Sequence, residues 1–468
     1  MLFTSISYLV FLFISSLLYY IIPKQHRFAM LLFASLGFCL FFGWTFFIPL
    51  IYCILLSWIG AKQIEKSQEN KKRILLLIIS VFNLLPLIFT KYLGFFVELL
   101  NRFFPISIGS PSNSFVATIG ISFYTFGTLG YLVDVRRGKC KAEHRLSKYL
   151  LFILFFPQVA SGPIPRTDRL LAQLDEAKEF NFETYRKGIS MIVLGYFEKL
   201  WIADRIGLYV DVIYGQWVYA AGRQILLAAL LYGIQIYADF CGYSLIAVGS
   251  AQLFGIQLEQ NFFQPYLADS VREFWKRWHR SLTRWFRDYI YIPLGGNRCS
   301  RFRWALNILL VFGLSGLWHG ATLSFLAWGL LNGLLQIAEK QLRPERVIRN
   351  RIARTLLTFL ILDFTWIFFR ANSLGGALHI IMRMLTRFNA PLFATGFTVS
   401  NAVVLIIGIF ILFGVDLIHE TGNEVLAFSN GKPYWVRGIV VLVAMLLIVV
   451  FGIWGAGYES QSFIYFHF

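Results

Sequence analysis

The chain has 468 residues, of which 57% are hydrophobic and only 15% are charged, whereas charged residues make up about a quarter of a soluble globular domain. This composition excludes a soluble protein. Apolar runs long enough to cross the ~30 Å hydrocarbon core of a bilayer recur along the chain. The net charge of +18 comes from Lys and Arg in short loops between these runs, which is the positive-inside pattern. We therefore predict an all-α polytopic membrane protein that contacts the lipid bilayer and binds no nucleic acid.

The first apolar runs are separated by short basic loops. Ser7–Ile22 has no basic leader and no small-residue cleavage site, so it predicts a retained first span. Leu31–Gly60 is too long for one crossing, and Gly43 near its middle predicts a hairpin. Ile74–Phe103 contains Pro86, which predicts a bend.

A short apolar segment lies between two basic loops. Tyr149–Ala160 has about a dozen residues, fewer than the ~17 needed to span a bilayer. It is followed by Gly and Pro residues in the sequence SGPIPR. Because basic loops on both sides indicate a return to the same membrane face, we predict a re-entrant hairpin, which is tolerated only where protein or a wet cavity surrounds it.

One carboxylate interrupts the next long apolar run. Asp239 lies inside Ile225–Phe254, where an ionisable side chain at membrane depth needs a partner or water. The position of Asp239 leaves two interpretations open. It could form an interhelical hydrogen bond that stabilises the bundle, or it could bind substrate.

A segment rich in Arg and Trp follows. If Ser270–Tyr291 is helical, one stripe of the helix carries alternating charges (Glu273, Arg277, Arg280, Arg284, Arg287) and the adjacent stripe is aromatic (Phe274, Trp278, Trp285). This pattern predicts an amphipathic helix in the interface plane, with its Trp residues at the level of the lipid headgroups. His279 lies within it.

A second histidine lies within an apolar run. Trp304–Gly316 and Ala321–Ile337 are apolar, and the sequence Leu-Trp-His-Gly that contains His319 separates them. Burial disfavours a charged imidazole, so a neutral ring at this position has the properties of a general base for a hydroxyl. A hydrogen-bonded packing residue is the alternative. The five cysteines have no CxxC spacing, so they support neither a zinc site nor a disulfide framework.

The rest of the chain predicts about three or four closing crossings, which gives roughly eleven or twelve in total. We find no internal repeat and no soluble domain. The prediction is a single integral-membrane domain over residues 1–468, with N-terminal helices (1–119), a catalytic core (120–333) and C-terminal helices (334–468).

Five segments carry ordered motifs: FFPQVASGPIPR (155–166), YADFCGYSLIAVG (237–249), NFFQPYLADSVREFWKRWHRSLTRWFRDYIYIPLGGNR (261–298), LSGLWHGA (314–321) and the terminal FIYFHF. Together they resemble the membrane-bound O-acyltransferase (MBOAT) family, most of all its alginate O-acetyltransferase branch. The resemblance runs from about Gly120 to Gly333 and is fainter at both ends. It implies an MBOAT-like bundle with re-entrant and interfacial amphipathic helices around a central funnel.

The resemblance also implies roles for both histidines. His319 matches the histidine of the family that activates the acceptor, and His279 matches a second histidine, which assists on the donor side. Members transfer an acyl group from a cytoplasmic thioester, such as acetyl-CoA, to a hydroxyl on the outer side, and no tightly bound cofactor or metal is expected. We expect further motif residues to bind substrate: Trp318, Arg287, Asp288, Tyr289, Asn297, Asp239 and Tyr243.

By the same resemblance, the chain would lie in a bacterial plasma (inner) membrane. It would acetylate an exported or cell-wall polysaccharide together with a secreted or membrane-anchored SGNH-type acetyltransferase. Two positions differ from the alginate branch and leave the acceptor open. Gly-Tyr-Ser is followed by Leu245, as in the D-alanyl transferases of teichoic acid, and Gly127 stands where the branch usually has Gln. The alternatives are a D-alanyl transferase that uses a charged carrier protein, a polytopic transporter or scramblase, and a structural membrane subunit.

Overall fold

A computed structural model of the protein describes residues 1–104, 120–160, 162–386, 388, 391–392, 396–423, 432–454 and 464. Apart from Ile464, the terminal FIYFHF motif lies outside these residues. The described residues form α-helices and no β-strand, which confirms the all-α prediction. The α-helices are α1 Ile6–Ile21, α2 Lys24–Leu40, α3 Trp44–Lys66, α4 Glu69–Leu87, α5 Leu93–Phe103, α6 Ile121–Arg136, α7 Leu146–Leu154, α8 Phe156–Val159, α9 Phe182–Tyr196, α10 Asp204–Gly215, α11 Gly222–Gln252, α12 Val271–Arg277, α13 Arg280–Phe286, α14 Arg301–His319, α15 Leu323–Leu342, α16 Arg351–Arg370, α17 Leu374–Thr386, α18 Val399–Glu420 and α19 Tyr434–Phe451.

Within the described residues, five helical stretches are both long and apolar enough to cross a membrane. They are Trp44–Lys66, Glu69–Phe103, Gly222–Gln252, Arg351–Arg370 and Val399–Glu420. Shorter apolar helices are also present, including α1 and α17. These helices confirm an all-α polytopic membrane protein, and the total of eleven or twelve crossings stays a prediction.

The described residues cluster into two compact units. The first contains Met1–Met191 and Ile246–Glu259, and its local structure follows several of the sequence predictions. The chain turns between α2 and α3, where Gly43 has a φ of 83° that side chains disfavour and glycine accepts. After Pro86 the helix passes through a π-helical turn, Ile88–Tyr92, before α5.

The segment predicted to be re-entrant also belongs to the first unit. It forms two short helices, α7 and α8, rather than one spanning helix. Its side chains from Leu151 to Ala160 are all buried. Non-helical backbone at membrane depth needs protein around it, and the burial of this segment meets that requirement.

The second unit contains Ile192–Leu245 and Gln260–His467. Its closest helix pair is α14 and α15, between which the chain reverses after His319. A Cβ atom added to Gly316 would lie 2.2 Å from the carbonyl oxygen of Phe325, and one added to Gly329 would lie 2.2 Å from that of Phe312. The two backbones therefore touch where these glycines face each other, as in other close helix pairs of membrane proteins.

The segment Ser270–Tyr291 differs from the prediction. It is not one amphipathic helix but α12, α13 and a π-helical turn, Arg287–Tyr291. Trp278 is 1% exposed, so its ring packs inside the protein and does not face lipid headgroups. The break follows from tertiary hydrogen bonds: the N–H of Arg280 donates to the carbonyl of Asn261 at 2.9 Å, and that of Phe263 to the carbonyl of Arg277 at 3.1 Å.

Candidate active site

A cavity of about 190 Å³ lies within the second unit between α12, α13, α14 and α15. His279 and His319 both line it, although they are far apart in the sequence. On α14 the lining residues run from Ile308 to His319, which corresponds to about 16 Å at ~1.5 Å per residue. The cavity is therefore a passage along one face of α14 that ends at His319.

His279 lies at the break between α12 and α13. Its backbone is left-handed, with φ 41° and ψ 55°, a conformation that is uncommon outside glycine and marks functional sites when the surroundings impose it. The ring is 1% exposed and packs edge-on against Phe240, with centroids 4.6 Å apart. Burial lowers the pKa of His279 to about 3, so the ring is neutral near pH 7.

His319 is the last residue of α14 and is 4% exposed. Aromatic rings surround it, with centroid distances of 4.9 Å to Trp318, 5.2 Å to Trp328 and 5.2 Å to Phe369. The His279 and His319 ring centroids are 6.5 Å apart. A small group at this end of the cavity therefore lies within reach of both imidazoles.

The open end of the cavity is basic. Arg272, Lys276 and Arg287 line it and are exposed, whereas both histidines are buried. Lys276 pairs with Glu273 at 2.9 Å, and Arg287 pairs with Asp288 at 2.8 Å. We call Arg272, Lys276 and Arg287 the basic rim. A rim of this kind attracts an anionic ligand such as a phosphate.

The structure brings together some of the sequence-predicted site residues. Trp318 contacts both histidine rings, and Arg287 belongs to the basic rim. Asp288 is 9% exposed, and its carboxylate accepts a hydrogen bond from Arg287 Nε at 2.8 Å. The Tyr289 ring packs on Trp285, with centroids 5.2 Å apart. Asn297 is exposed in the turn before α14 and does not line the cavity.

Asp239 and Tyr243 belong to a separate buried ion cluster. The Lys199 ammonium lies 2.6 Å from Asp239 Oδ1 and 2.7 Å from Asp204 Oδ1, and its Nζ lies 5.6 Å from the Tyr243 ring centroid. All three charged side chains are at most 3% exposed. Of the two interpretations open for Asp239, these contacts support the structural one.

Replacing Lys199 with Met is expected to destabilise the protein by about 3–5 kcal/mol, because it leaves two buried carboxylates without their cation. Thermal unfolding in detergent measures this loss. The double variant Lys199→Met, Asp239→Asn removes one of these charges and should regain part of the stability. A single variant as stable as the wild type would show that the cluster contributes nothing.

The His279 pKa predicts an acid sensitivity. In the unfolded chain the imidazole has a pKa of about 6.5. Between pH 6.5 and pH 3 it therefore binds a proton in the unfolded chain but not in the folded protein. Stability is therefore fully present above pH 6.5 and falls as the pH drops, by up to ~1.4 kcal/mol per unit. His279→Asn, which tolerates left-handed backbone, should flatten this dependence in thermal melts at pH 7 and pH 5. His144→Asn, at an exposed histidine, is the control, and equal slopes in all three proteins would contradict the prediction.

Six polar or basic lining residues did not stand out in the sequence: Arg272, Lys276, Thr283, Tyr291, Ser315 and Gln336. A usable signal was present for Ser315, because it precedes His319 by four residues and so shares its helix face. Arg272 and Gln336 carry no such signal, since their place in the cavity depends on how α12 and α15 pack on α14.

The described residues contain no group of three or more His, Cys, Asp or Glu side chains that fits a metal ion. The site thus consists of two buried imidazoles at the closed end of an apolar passage with a basic rim. Such a site suits proton transfer to and from a group that enters by the passage.

Comparison with known proteins agrees with this geometry. Residues 32–346 match the profile of the MBOAT, membrane-bound O-acyltransferase family, which covers more than half of the chain. The chain belongs to the MBOAT family, and it is an acyltransferase of a multi-pass membrane type.

Curated relatives include acetylating and D-alanylating enzymes. The chain is 34% identical over 380 residues to "Probable alginate O-acetylase AlgI" of Pseudomonas aeruginosa, which covers 79% of this chain and 72% of that protein. It is 30% identical over 386 residues to a peptidoglycan O-acetyltransferase of Helicobacter pylori, covering 76% and 73%. A teichoic acid D-alanyltransferase of Bacillus subtilis is 31% identical over 245 residues, covering 48% and 59%.

Proposed function

We propose that this protein transfers an acetyl group from a cytoplasmic thioester donor to a hydroxyl of an exported or cell-wall polysaccharide, or to a partner that completes the transfer. The observation that carries the proposal is the cavity that joins His279 and His319 to the basic rim. The acetylating relatives that cover about three quarters of the chain support acetyl as the group transferred.

The charges at the start of α14 support transfer from the cytoplasmic side toward the outer side. Arg298, Arg301 and Arg303 flank the start of this helix, so the positive-inside rule assigns its start to the cytoplasm. His319 is at the other end, about 27 Å away at ~1.5 Å per residue. A donor that enters past the basic rim therefore moves from the cytoplasmic face of a bacterial plasma membrane toward His319.

His319 acts as the general base. Its neutral ring accepts the proton of the acceptor hydroxyl, and the oxygen attacks the thioester carbonyl. The C–S bond then breaks, the ester C–O bond forms, and the proton passes to the leaving thiolate. His279, as a neutral ring on the donor side of the same end, orients the thioester. The polysaccharide, or a secreted or anchored SGNH-type acetyltransferase, receives the acetyl group on the outer side.

In a direct test, membrane vesicles that contain the protein receive radiolabelled acetyl-CoA. A parallel assay supplies a D-alanyl carrier-protein thioester instead. We expect acetyl label to reach carbohydrate or a protein partner only in vesicles that contain the chain. Transfer of D-alanine but not of acetyl would show that the protein is a D-alanyl transferase, as in the alternative. Transfer from neither thioester would contradict the proposal.

The basic rim gives a separate prediction. Arg272→Gln should raise the KM for acetyl-CoA about 5- to 10-fold with little change in kcat, because a charge-assisted hydrogen bond to a phosphate contributes about 1.5–3 kcal/mol when buried and less at an exposed rim. Steady-state kinetics measure both constants. Arg303→Gln removes an exposed charge that does not line the cavity and serves as the control. Equal effects of the two variants would indicate general electrostatic attraction instead of a rim contact.

A further inference from the structure

Ser315 is the polar residue of α14 nearest to His319 on the cavity wall. The two are four residues apart, so they lie on one face of the helix, separated by about one turn of ~5.4 Å. Both line the cavity, and Ser315 is half-buried. The other α14 residues of the lining, Ile308, Val311 and Phe312, are apolar.

The hydroxyl of Ser315 is available to a ligand. Within the described part of the chain, Ser315 makes no side-chain hydrogen bond. By comparison, the Thr283 hydroxyl on the same wall already donates to the carbonyl of Trp278 at 3.2 Å. A polar group in an apolar passage is unfavourable unless it finds a hydrogen-bond partner. Within the described lining, Ser315 therefore offers a hydroxyl without a side-chain hydrogen bond, one helical turn before the proposed base.

An uncharged hydroxyl is suited to a hydrogen bond with an uncharged polar group of the donor, such as an amide. In coenzyme A and in carrier proteins the thioester sulfur belongs to a pantetheine arm, whose first amide nitrogen is two carbon atoms from the sulfur. A thioester carbonyl held at His319 places that amide about one helical turn back along the passage. The phosphate at the other end of the arm then lies toward the basic rim.

We propose that the Ser315 hydroxyl accepts a hydrogen bond from the amide N–H next to the sulfur of a pantetheine thioester, and so selects pantetheine donors over simple thioesters. This inference rests on the proposed function. Ser315 takes no part in the covalent step: the C–S bond of the thioester breaks, the acetyl carbonyl bonds to the acceptor oxygen, and the acceptor proton leaves through His319 to the thiolate.

The test compares two small donors that avoid the basic rim. One is the acetyl thioester of N-acetylcysteamine, which retains the amide nearest the sulfur. The other is its carba analogue, in which a CH₂ group replaces the amide N–H. The wild type should have a kcat/KM about 3- to 10-fold higher for the first donor, since one neutral hydrogen bond has this effect. In Ser315→Ala the ratio should fall to about one, and Ser315→Thr, which keeps the hydroxyl, should restore it.

The ratio of two donors within one preparation does not depend on how much of a variant is folded. A ratio that is unchanged in Ser315→Ala, or a wild type that does not distinguish the donors, would overturn the role of Ser315 while leaving acetyl transfer intact. A wild type that uses none of these donors, nor acetyl-CoA, nor an acetylated carrier protein would overturn the proposed function as well. Acetyl-CoA and an acetylated carrier protein, assayed in parallel, identify the source of the arm by the larger kcat/KM, and Ser315→Ala should lower both values by the same factor.

Discussion

Replacing His319 with alanine is expected to lower the rate of acyl transfer by about 10²- to 10⁴-fold, the usual effect of removing a general base. The ring lies at the closed end of the passage, 6.5 Å from His279 between centroids, and the described lining contains no carboxylate that could take its place as a base. The loss should appear in kcat, because in the proposed mechanism the imidazole acts on the acceptor proton in the transition state. Steady-state transfer of radiolabelled acetyl from acetyl-CoA in membrane vesicles measures kcat, and the acetate content of the polysaccharide in complemented cells gives the effect in vivo.

Two further variants separate chemistry from packing. The ring of His319 fills space between Trp318, Trp328 and Phe369, so His319→Gln keeps most of the volume and should be as inactive as His319→Ala. His144→Ala removes a histidine whose side chain is 68% exposed and should keep full activity. Normal acetylation in a well-expressed His319→Gln strain would contradict the role of this imidazole.

Alanine at Gly316 or Gly329 is expected to destabilise the protein by about 1–3 kcal/mol or more, and to abolish most of its activity. The added Cβ would lie 2.2 Å from a backbone carbonyl oxygen of the facing helix in each case, and backbone cannot move aside as a flexible side chain does. His319 follows Gly316 by three residues, so separation of α14 from α15 also displaces the imidazole. A displacement of ~1 Å is enough to lower a rate about 10²-fold.

Gly313 provides the matched control. Its added Cβ would meet Leu330 Cδ2 at 3.4 Å, an ordinary contact, and alanine is favoured over glycine within a helix by about 0.5–1 kcal/mol. Gly313→Ala should therefore be as stable as the wild type or slightly more stable. Thermal unfolding in detergent and acetyl transfer well below the melting temperature check all three variants. Similar losses in the three would show that close contact of α14 and α15 is not the cause.

The sequence predicted those features that depend on local chemistry. Apolar run length predicted the long helices, and the glycine at Gly43 predicted the turn between α2 and α3. The break around His319 was predicted because Leu-Trp-His-Gly interrupts two apolar runs. Both histidines were chosen on their settings and on family resemblance, and the cavity brings the two together.

Features that depend on distant segments were not predictable. Helical periodicity suggested one helix through Trp278 and His279, but the backbone of Asn261 and Phe263 binds this stretch and imposes the left-handed residue. Likewise, the partner of Asp239 is Lys199 on another helical segment, and no spacing rule connects the two. Such tertiary hydrogen bonds and ion pairs override local preference.

The position of His319 as the last residue of α14 has an electrostatic consequence for the reaction. Peptide dipoles aligned along a helix give its C-terminus a partial negative charge, which stabilises a nearby cation by about 0.3–1 kcal/mol, and by up to ~2 kcal/mol where water is excluded. In the proposed reaction the imidazole becomes an imidazolium when it takes up the acceptor proton. The end of α14 therefore favours the charge that appears during the transfer over the resting state, which is the condition for lowering a barrier.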